Sequence, residues 1–369
     1  MITPRRDPEI LLRRYWDAPD APLVSAGLAF LSLGYRIALA ARERVYAWGL
    51  LSTGRLPCPV VSVGNVTLGG SGKTPMAEQV ALALRELGAR PAVVSRGYGR
   101  STRGVAIVAG GDGLRLAPRE AGDEPALLAD RLPGVPVVVG ENRLEAGRTA
   151  IERCGANAIV LDDGFQHRTL WKDLELVVVN GRAPWGNERL FPRGMLREPL
   201  SALGRADVVV VTNPTSDADV VAATEVVRRH KPEAPVLTAR YEVMGVREMQ
   251  SGADVSPSHL RGRRLLAFAG LASPRGFADT LAVAGVDVAG LVEYPDHHWF
   301  TQADLVELVR QCRAEDVDGL ITTEKDAVRL RGLDLPSIRL CVVQVRLQIE
   351  TGRERLLQAL ERTLARAAR

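Results

Sequence analysis

The sequence predicts an α/β protein: a parallel sheet flanked by helices, with a second, smaller α/β lobe joined through a two-stranded hinge. Three observations lead there. Short runs rich in Val, Ile and Leu alternate with helical stretches from Val60 onward, which is the pattern of a parallel sheet with crossover helices. A glycine-rich turn separates the first such run from the first such helix. Two longer β-rich runs, Val236 to Val243 and Ile338 to Leu347, bracket a segment that alternates again, as strands leaving one lobe and returning from another would do.

The chain has 369 residues, enough for two cores, and its 46% hydrophobic content describes a globular protein. A formal charge of +4 is small for this length, and no basic run is interleaved with aromatics. Neither a nucleic acid nor an obligate protein partner is therefore expected. An anionic small molecule or an anionic membrane surface suits the charge better. Cys58, Cys154, Cys312 and Cys341 stand apart, without metal-ligand spacing, and read as ordinary thiols of a reducing compartment. Lys73, Lys172, Lys231 and Lys325 are the four lysines, all other basic residues among the 48 being arginine.

Residues 1–50 form the first region. From Ala21 to Tyr35 the chain is almost wholly apolar or small, with Arg5, Arg6, Arg13 and Arg14 before it and Arg36, Arg42 and Arg44 after it. A spanning helix needs about 20 apolar residues, so this shorter stretch is expected to lie in the membrane interface with its arginines at the headgroups. A helix of the protein core is the alternative. A cleaved signal peptide is not expected, since no clear small-x-small cleavage site precedes the next element.

Residues 51–235 are expected to form the main core. The strand Val60 to Val63 runs into Gly64-Asn65-Val66-Thr67-Leu68-Gly69-Gly70-Ser71-Gly72-Lys73-Thr74-Pro75. Backbone N–H groups in such a loop converge on phosphates, Lys73 adds a point charge, and the Thr74 hydroxyl can ligate Mg²⁺. Gly69, Gly70, Ser71, Gly72, Lys73 and Thr74 are thus the candidate contacts to a nucleoside triphosphate, and the core is expected to be P-loop NTPase-like. The usual spacing would place the first glycine at Thr67; Gly69 and Gly70 supply the missing freedom. Met76, Val80, Leu84 and Leu87 give the following helix its buried face, and Pro75 is tolerated because a first-turn N–H has no helical partner.

Further strands are expected at Ala92 to Ser95, Val135 to Val139, Ala158 to Leu161, Leu176 to Val179 and Val208 to Thr212. Ligands of such sheets bind at the carboxyl ends of the strands. Asp162 and Asp163 end one strand, the arrangement that holds Mg²⁺ opposite a phosphate loop; a solvated pair in a turn is the alternative. Arg96, in Ser95-Arg96-Gly97-Tyr98-Gly99-Arg100, sits among glycines where its fork could clamp an anionic substrate, or it lies on a plain surface loop. Asp123, in Gly122-Asp123-Glu124-Pro125, is either a helix N-cap or the acceptor of a hydroxyl proton. The stretch Asn187 to Pro199 is long, irregular and polar, as functional loops are.

Residues 249–337 are assigned to the second lobe, with strands at Arg264 to Ala269 and Gly319 to Thr323, and residues 236–248 and 338–349 to the hinge. Asp296-His297-His298 is read as a possible partner for Asp123, or as surface histidines; zinc is not expected. Thr322-Thr323-Glu324-Lys325-Asp326 ends a strand with a weak Lys-x-Asp-like signal for a nucleotide base, which makes Lys325 a cofactor candidate. Leu356, Leu360 and Leu364 recur at helical spacing, so residues 350–369 are expected to form a helix packed on the body.

Together these motifs closely resemble the tetraacyldisaccharide 4'-kinases, the lipid A 4'-kinases of Gram-negative bacteria. The likeness rests on Gly64-Asn65 through Thr74-Pro75, Ser95-Arg96-Gly97-Tyr98-Gly99, Gly122-Asp123-Glu124-Pro125, Leu161-Asp162-Asp163-Gly164-Phe165-Gln166-His167, Leu196-Arg197-Glu198-Pro199, Asp296-His297-His298 and Thr323-Glu324-Lys325-Asp326. It implies transfer of the γ-phosphate of ATP, with Mg²⁺, to the 4'-hydroxyl of an acylated glucosamine disaccharide 1-phosphate. It also implies a location at the cytoplasmic face of the inner membrane, peripheral or monotopic. By similarity Asp123 is the base, His297 its partner, Lys73 and Thr74 the phosphate and magnesium contacts, and Asp162 and Asp163 the magnesium side. Asn65, Arg96, Arg197 and Glu198 are the expected substrate contacts. A GTPase or metallochaperone with a second signature lysine is the rival reading, against which Leu68 stands at that lysine position. A membrane-binding module with a vestigial nucleotide site is the other.

Overall fold

The computed structural model describes residues 22–111 and 113–367. Its strands are β1 Val60–Gly64, β2 Pro91–Ser95, β3 Ala106–Ala109, β4 Val137–Val139, β5 Ala158–Asp162, β6 Leu174–Asn180, β7 Val208–Thr212, β8 Val236–Glu248, β9 Asp254–Val255, β10 Arg264–Ala269, β11 Asp287–Glu293, β12 Gly319–Thr323 and β13 Arg339–Thr351. They join in one sheet of order β11-β10-β12-β13-β8-β7-β6-β1-β5-β2-β4-β3, with β9 beside β8. From β7 to β4 every pairing is parallel. Strands β1, β2, β5 and β7 are buried along their whole length, as strands covered on both faces must be, which is why they read as unbroken apolar runs.

The two halves of the sheet meet at β8 and β13. The first residues of β8 extend the parallel sheet beside β7, and the first residues of β13 lie parallel to β12. Between these ends the two strands pair antiparallel from Cys341↔Glu248 to Thr351↔Thr238. A ribbon this long accumulates right-handed twist. The loops after β10, β11 and β12 come to rest against those after β1 and near β2.

Helices cover both faces. The helix Lys73–Glu86 buries Met76, Val80 and Leu84 in a core shared with β1, β5 and the C-terminal helix, which contributes Leu356 and Leu360. The helix Arg353–Ala367 runs as its leucine spacing requires. A separate core lies between β10, β12, β13 and the helix Pro274–Val283, with Phe277 and Leu281 inside.

Three features depart from expectation. β3 is an antiparallel edge strand on β4, and β11 is half-exposed beside β10; its central Ala-Gly has weak β character, so no strong run announces it. The N-terminal helix Pro22–Ala47 has 26 residues, well beyond Tyr35, because Ile37-Ala38-Leu39-Ala40 carries the apolar pattern past Arg36. Leu23–Ala47 is long and apolar enough to cross a membrane and is not buried in the body. The part of the N-terminal region before residue 22 lies outside the described residues.

Candidate active site

The phosphate loop follows β1 and closes on the helix that starts at Lys73. Gly72 caps that helix with φ 87°, and a Cβ there would come 3.0 Å from the Tyr241 hydroxyl, so the turn requires glycine. Asn65, wholly buried, donates to Ser71 Oγ at 2.9 Å, while Thr212 Oγ1 donates to the Ser71 carbonyl at 2.9 Å. Asn65 therefore braces the loop from beneath instead of facing open space. Gly69 has φ 91°, and Gly70 lies against Ala272 of the second half of the sheet.

Beside the loop, Thr74 Oγ1 reaches Asp162 at 3.2 and 3.3 Å, and Lys73 Nζ lies 3.9 Å from Asp163 Oδ1. Burial pushes the Asp162 carboxyl up to about 7, with the charges of Glu124 and Asp163 adding to the effect. Burial also raises Asp163, but Lys73 and Arg197 outweigh it and hold that carboxyl below its ordinary value. A close carboxylate pair of this kind is relieved by a divalent cation, and the Thr74 hydroxyl with one or two carboxylates matches what Mg²⁺ takes from a protein when phosphates and waters fill its other positions. The residues present fit Mg²⁺.

Arg197 donates from Nη1 to both Asp163 oxygens, at 3.1 and 3.0 Å. It is placed there because the loop after β6 pairs with the phosphate loop: Leu68 N donates to Met195 O and Arg197 N to Val66 O. Glu198 is 3% exposed and accepts from Arg205 at 2.7 Å and Arg42 at 3.2 Å. Both oxygens are engaged, so Glu198 fastens the N-terminal helix to the body; Tyr35 OH adds a bond to the Arg197 carbonyl at 2.8 Å. Arg96 is exposed at the end of β2. Near it Arg143 is buried, its Nη1 held by the carbonyls of Gly140 and Glu141. Burial and then the like charge of Arg96 lower Arg143, a convergence of cations suited to an anion.

Asp123 is the first residue of the helix Asp123–Arg131, and the N-cap is Gly122 with φ 92°. The capping alternative for Asp123 thus does not hold. A Cβ on Gly122 would meet the Tyr98 carbonyl at 3.2 Å, so the close approach to the turn after β2 is what excludes a side chain. Three side chains from the second half of the sheet surround the Asp123 carboxylate. His297 Nδ1 lies 2.9 Å from Oδ2, Arg329 Nε donates to the same oxygen at 2.7 Å, and Lys325 Nζ is 3.9 Å away. Burial would raise the carboxyl, but the His297 hydrogen bond and the charges of Lys325 and Arg329 win and hold it well below the usual range. Lys325 itself binds Glu124 at 3.0 Å, so it stands in the Asp123 cluster and contacts carboxylates. Ser95 Oγ reaches Asp162 at 3.4 Å and the turn after it lies against Gly122, so the two clusters flank the end of β2, and the charge of Glu124 acts on Asp162.

Reading the sequence missed Arg329, Glu124 and a buried ion network behind them. Arg131 binds Glu78 at 3.1 Å and also Glu324, while Arg346 binds Glu78 at 3.3 Å and Glu324 at 3.1 Å. The one available signal for Arg329 was its place three residues after Asp326 on the same short helix. His298 bonds Asp304 at 3.1 Å and stacks on Tyr294, away from Asp123.

The comparisons with known proteins agree on one family. A family model described as tetraacyldisaccharide-1-P 4'-kinase matches residues 24–365. The tetraacyldisaccharide 4'-kinase of Anaeromyxobacter sp. (strain Fw109-5) is 43% identical over 364 residues, covering 97% of each chain. That of Syntrophus aciditrophicus (strain SB) is 38% identical over 353 residues, covering 92% of this chain and 94% of its own. Among solved structures, LpxK from Aquifex aeolicus in complex with ATP aligns with a TM-score of 0.73 at 30% identity, covering 93% of this chain and 100% of the other. By sequence, by fold and by full-length coverage, this chain belongs to the tetraacyldisaccharide-1-P 4'-kinase family.

Proposed function

We propose that this protein transfers the γ-phosphoryl group of ATP to the 4'-hydroxyl of an acylated glucosamine disaccharide 1-phosphate, a step of lipid A biosynthesis. The observation that carries the proposal is the placement of two clusters on either side of the end of β2: Lys73, Thr74, Asp162 and Asp163 on one side, and Asp123 with His297 on the other. The first set suits a nucleotide's phosphates, and the second suits the proton of an attacking alcohol.

Each residue then has a stated task. The loop amides from Gly69 to Gly72 and the Lys73 ammonium offset the charge spread over the transferring phosphoryl oxygens, where catalysis of this kind mostly arises. Thr74 and Asp162 are the residues that would hold Mg²⁺, with Asp163 beside them. When bound, the ion neutralises charge between the phosphates. Asp123 accepts the hydroxyl proton, and His297 steadies the carboxylate. Arg197 keeps Asp163 ionised, and Arg96 with Arg143 offers positive charge to an anionic group of the acceptor. Lys325 holds Glu124 and Asp123 in place.

The N-terminal helix supports a membrane location. Leu23, Phe30 and Ile37 are 88%, 76% and 61% exposed, an apolar surface that water alone would not favour. Ser32 donates to the Leu190 carbonyl at 3.0 Å, so the helix touches the loop that carries Arg197. We place it at the cytoplasmic face of the inner membrane, where ATP and a lipid acceptor are both within reach.

The test is transfer itself. The purified chain in detergent, with Mg²⁺, γ-labelled ATP and acylated glucosamine disaccharide 1-phosphate, is expected to label the lipid, with GTP and lipid-free reactions as controls. Label must disappear in Lys73→Ala. Nucleotide hydrolysis without labelled lipid would overturn the kinase reading in favour of a nucleotide hydrolase.

A further inference from the structure

Arg329 is wholly enclosed, its side chain 0% exposed. Its Nη1 donates to the Gly270 carbonyl at 2.6 Å and to Asp326 Oδ1 at 3.0 Å. On the other edge of the guanidinium, Nε and Nη2 both donate to Asp123 Oδ2. Asp326 lies on Arg329's own helix, and it also accepts from Gly270 N at 3.1 Å. Asp326 and the Gly270 carbonyl take only the Nη1 edge of the guanidinium, which leaves Nε and Nη2 for a second acceptor. The second carboxylate comes from the other half of the sheet, 206 residues away in sequence.

We propose that Arg329 is a positioning residue for Asp123: it holds Oδ2 against the second half of the sheet, so that Oδ1 is the oxygen left to accept the acceptor's proton. The inference rests on the reading of Asp123 as the base. Oδ2 takes two N–H groups from Arg329 and faces His297 Nδ1, so its lone pairs are filled. Among the described residues, Oδ1 accepts only the Glu124 backbone N–H, at 2.9 Å. One lone pair of Oδ1 therefore remains.

The same guanidinium links the base to the cover of the phosphate loop. Arg329 and Asp326 both hold Gly270, and two residues on, Ala272 packs against Gly70. A buried ion pair adds little net stability compared with apolar residues of the same shape. Its value here is orientation: a base displaced by about 1 Å can cost about 10²-fold in rate. The titratable groups facing Asp123 are His297 from the loop after β11, Lys325 and Arg329 from the helix Glu324–Leu330, and Glu124 on its own helix.

The experiment compares Arg329→Lys, Arg329→Met and Asp123→Asn in the full chain in detergent, with acylated glucosamine disaccharide 1-phosphate and ATP. It measures kcat and KM for ATP, below each variant's melting temperature. Arg329→Met is expected to lower kcat about 10²-fold with KM for ATP within about threefold. Arg329→Lys returns the charge but restores kcat only in part, since an ammonium lacks the planar fork. Parent-like kcat in a folded Arg329→Met overturns the inference, and so does a KM for ATP that rises in step with the fall in kcat. Should the methionine variant fail to fold, parent-like kcat in a folded Arg329→Lys overturns it instead. Loss of activity in Asp123→Asn alongside unaffected Arg329 variants would leave the base reading standing and remove this inference alone; an active Asp123→Asn would remove the base reading itself.

Discussion

Replacing Asp123 by asparagine separates the chemical role of this residue from its structural one. The amide keeps the shape of the side chain but cannot take the hydroxyl proton. Losing a positioned base costs about 10²- to 10⁴-fold in turnover, or about 3 to 5 kcal/mol of barrier. Stability falls too, because Arg329 stays buried with one carboxylate fewer. Removing one partner of a buried pair costs about 3 to 5 kcal/mol; Arg329 keeps Asp326 and the Gly270 carbonyl, so the loss is expected toward or below the lower end of that range. The pH dependence has a definite sign. Asp123's carboxyl is held below its ordinary value in the fold, so it contributes stability that is complete above its unfolded pKa of about 3.9 and is lost as pH falls through the folded value. The melting-temperature gap between parent and Asp123→Asn should therefore be full at pH 7 and narrow in acid. Transfer of label to lipid, calorimetric ATP affinity and melting at several pH values measure all three effects. Turnover of a folded Asp123→Asn within tenfold of the parent would refute the catalytic reasoning, and a gap that stays constant into acid would refute the electrostatic one.

Lys73→Arg should fail to rescue Lys73→Ala, because a planar fork does not replace a compact ammonium beside phosphates; transfer above about a tenth of the parent rate would contradict this. Gly72→Ala should weaken ATP binding by at least about tenfold, as φ 87° and the 3.0 Å approach to Tyr241 oppose any Cβ; calorimetry reads the change. Phe30→Ser with Ile37→Ser removes two exposed apolar side chains worth about 1.5 to 3 kcal/mol each when buried. Binding to anionic vesicles, measured by sedimentation, is expected to drop at least tenfold while transfer in detergent persists. Arg131→Met leaves Glu78 with Arg346 as its charged partner and should destabilise by about 3 kcal/mol, the lower end of the range for breaking a buried pair; parent-like melting would show that the network contributes nothing.

How much of this was legible in the sequence depended on whether the signal was local. The phosphate loop, the carboxylates at the end of β5 and the leucine spacing of the last helix are short-range patterns. Backbone conformation and strand or helix period act within a few residues. The main parallel strands were readable for the same reason, since burial on both faces demands unbroken apolar runs. β3 and β11 lie at sheet edges, where that demand is relaxed, and they were not found. Asn65 and Glu198 stood out as polar residues within motifs, but their sequence could not say whether they face a ligand or brace a loop. The bonds of Asn65 to Ser71 and of Glu198 to Arg42 and Arg205 were decided by packing.

The sequence by itself determined the α/β class, the phosphate loop and the two carboxylates that end β5, and it offered the pairing of Asp123 with His297 as an expectation. Only the tertiary structure decided that the Asp123 carboxylate is shared among His297, Lys325 and Arg329, and that Glu78, Arg131, Glu324 and Arg346 form one network behind it. The physical reason is distance along the chain. The contacts that cross between the two halves join residues some 170 to 270 positions apart, and they exist only because the long β8–β13 ribbon brings the two halves of the sheet face to face.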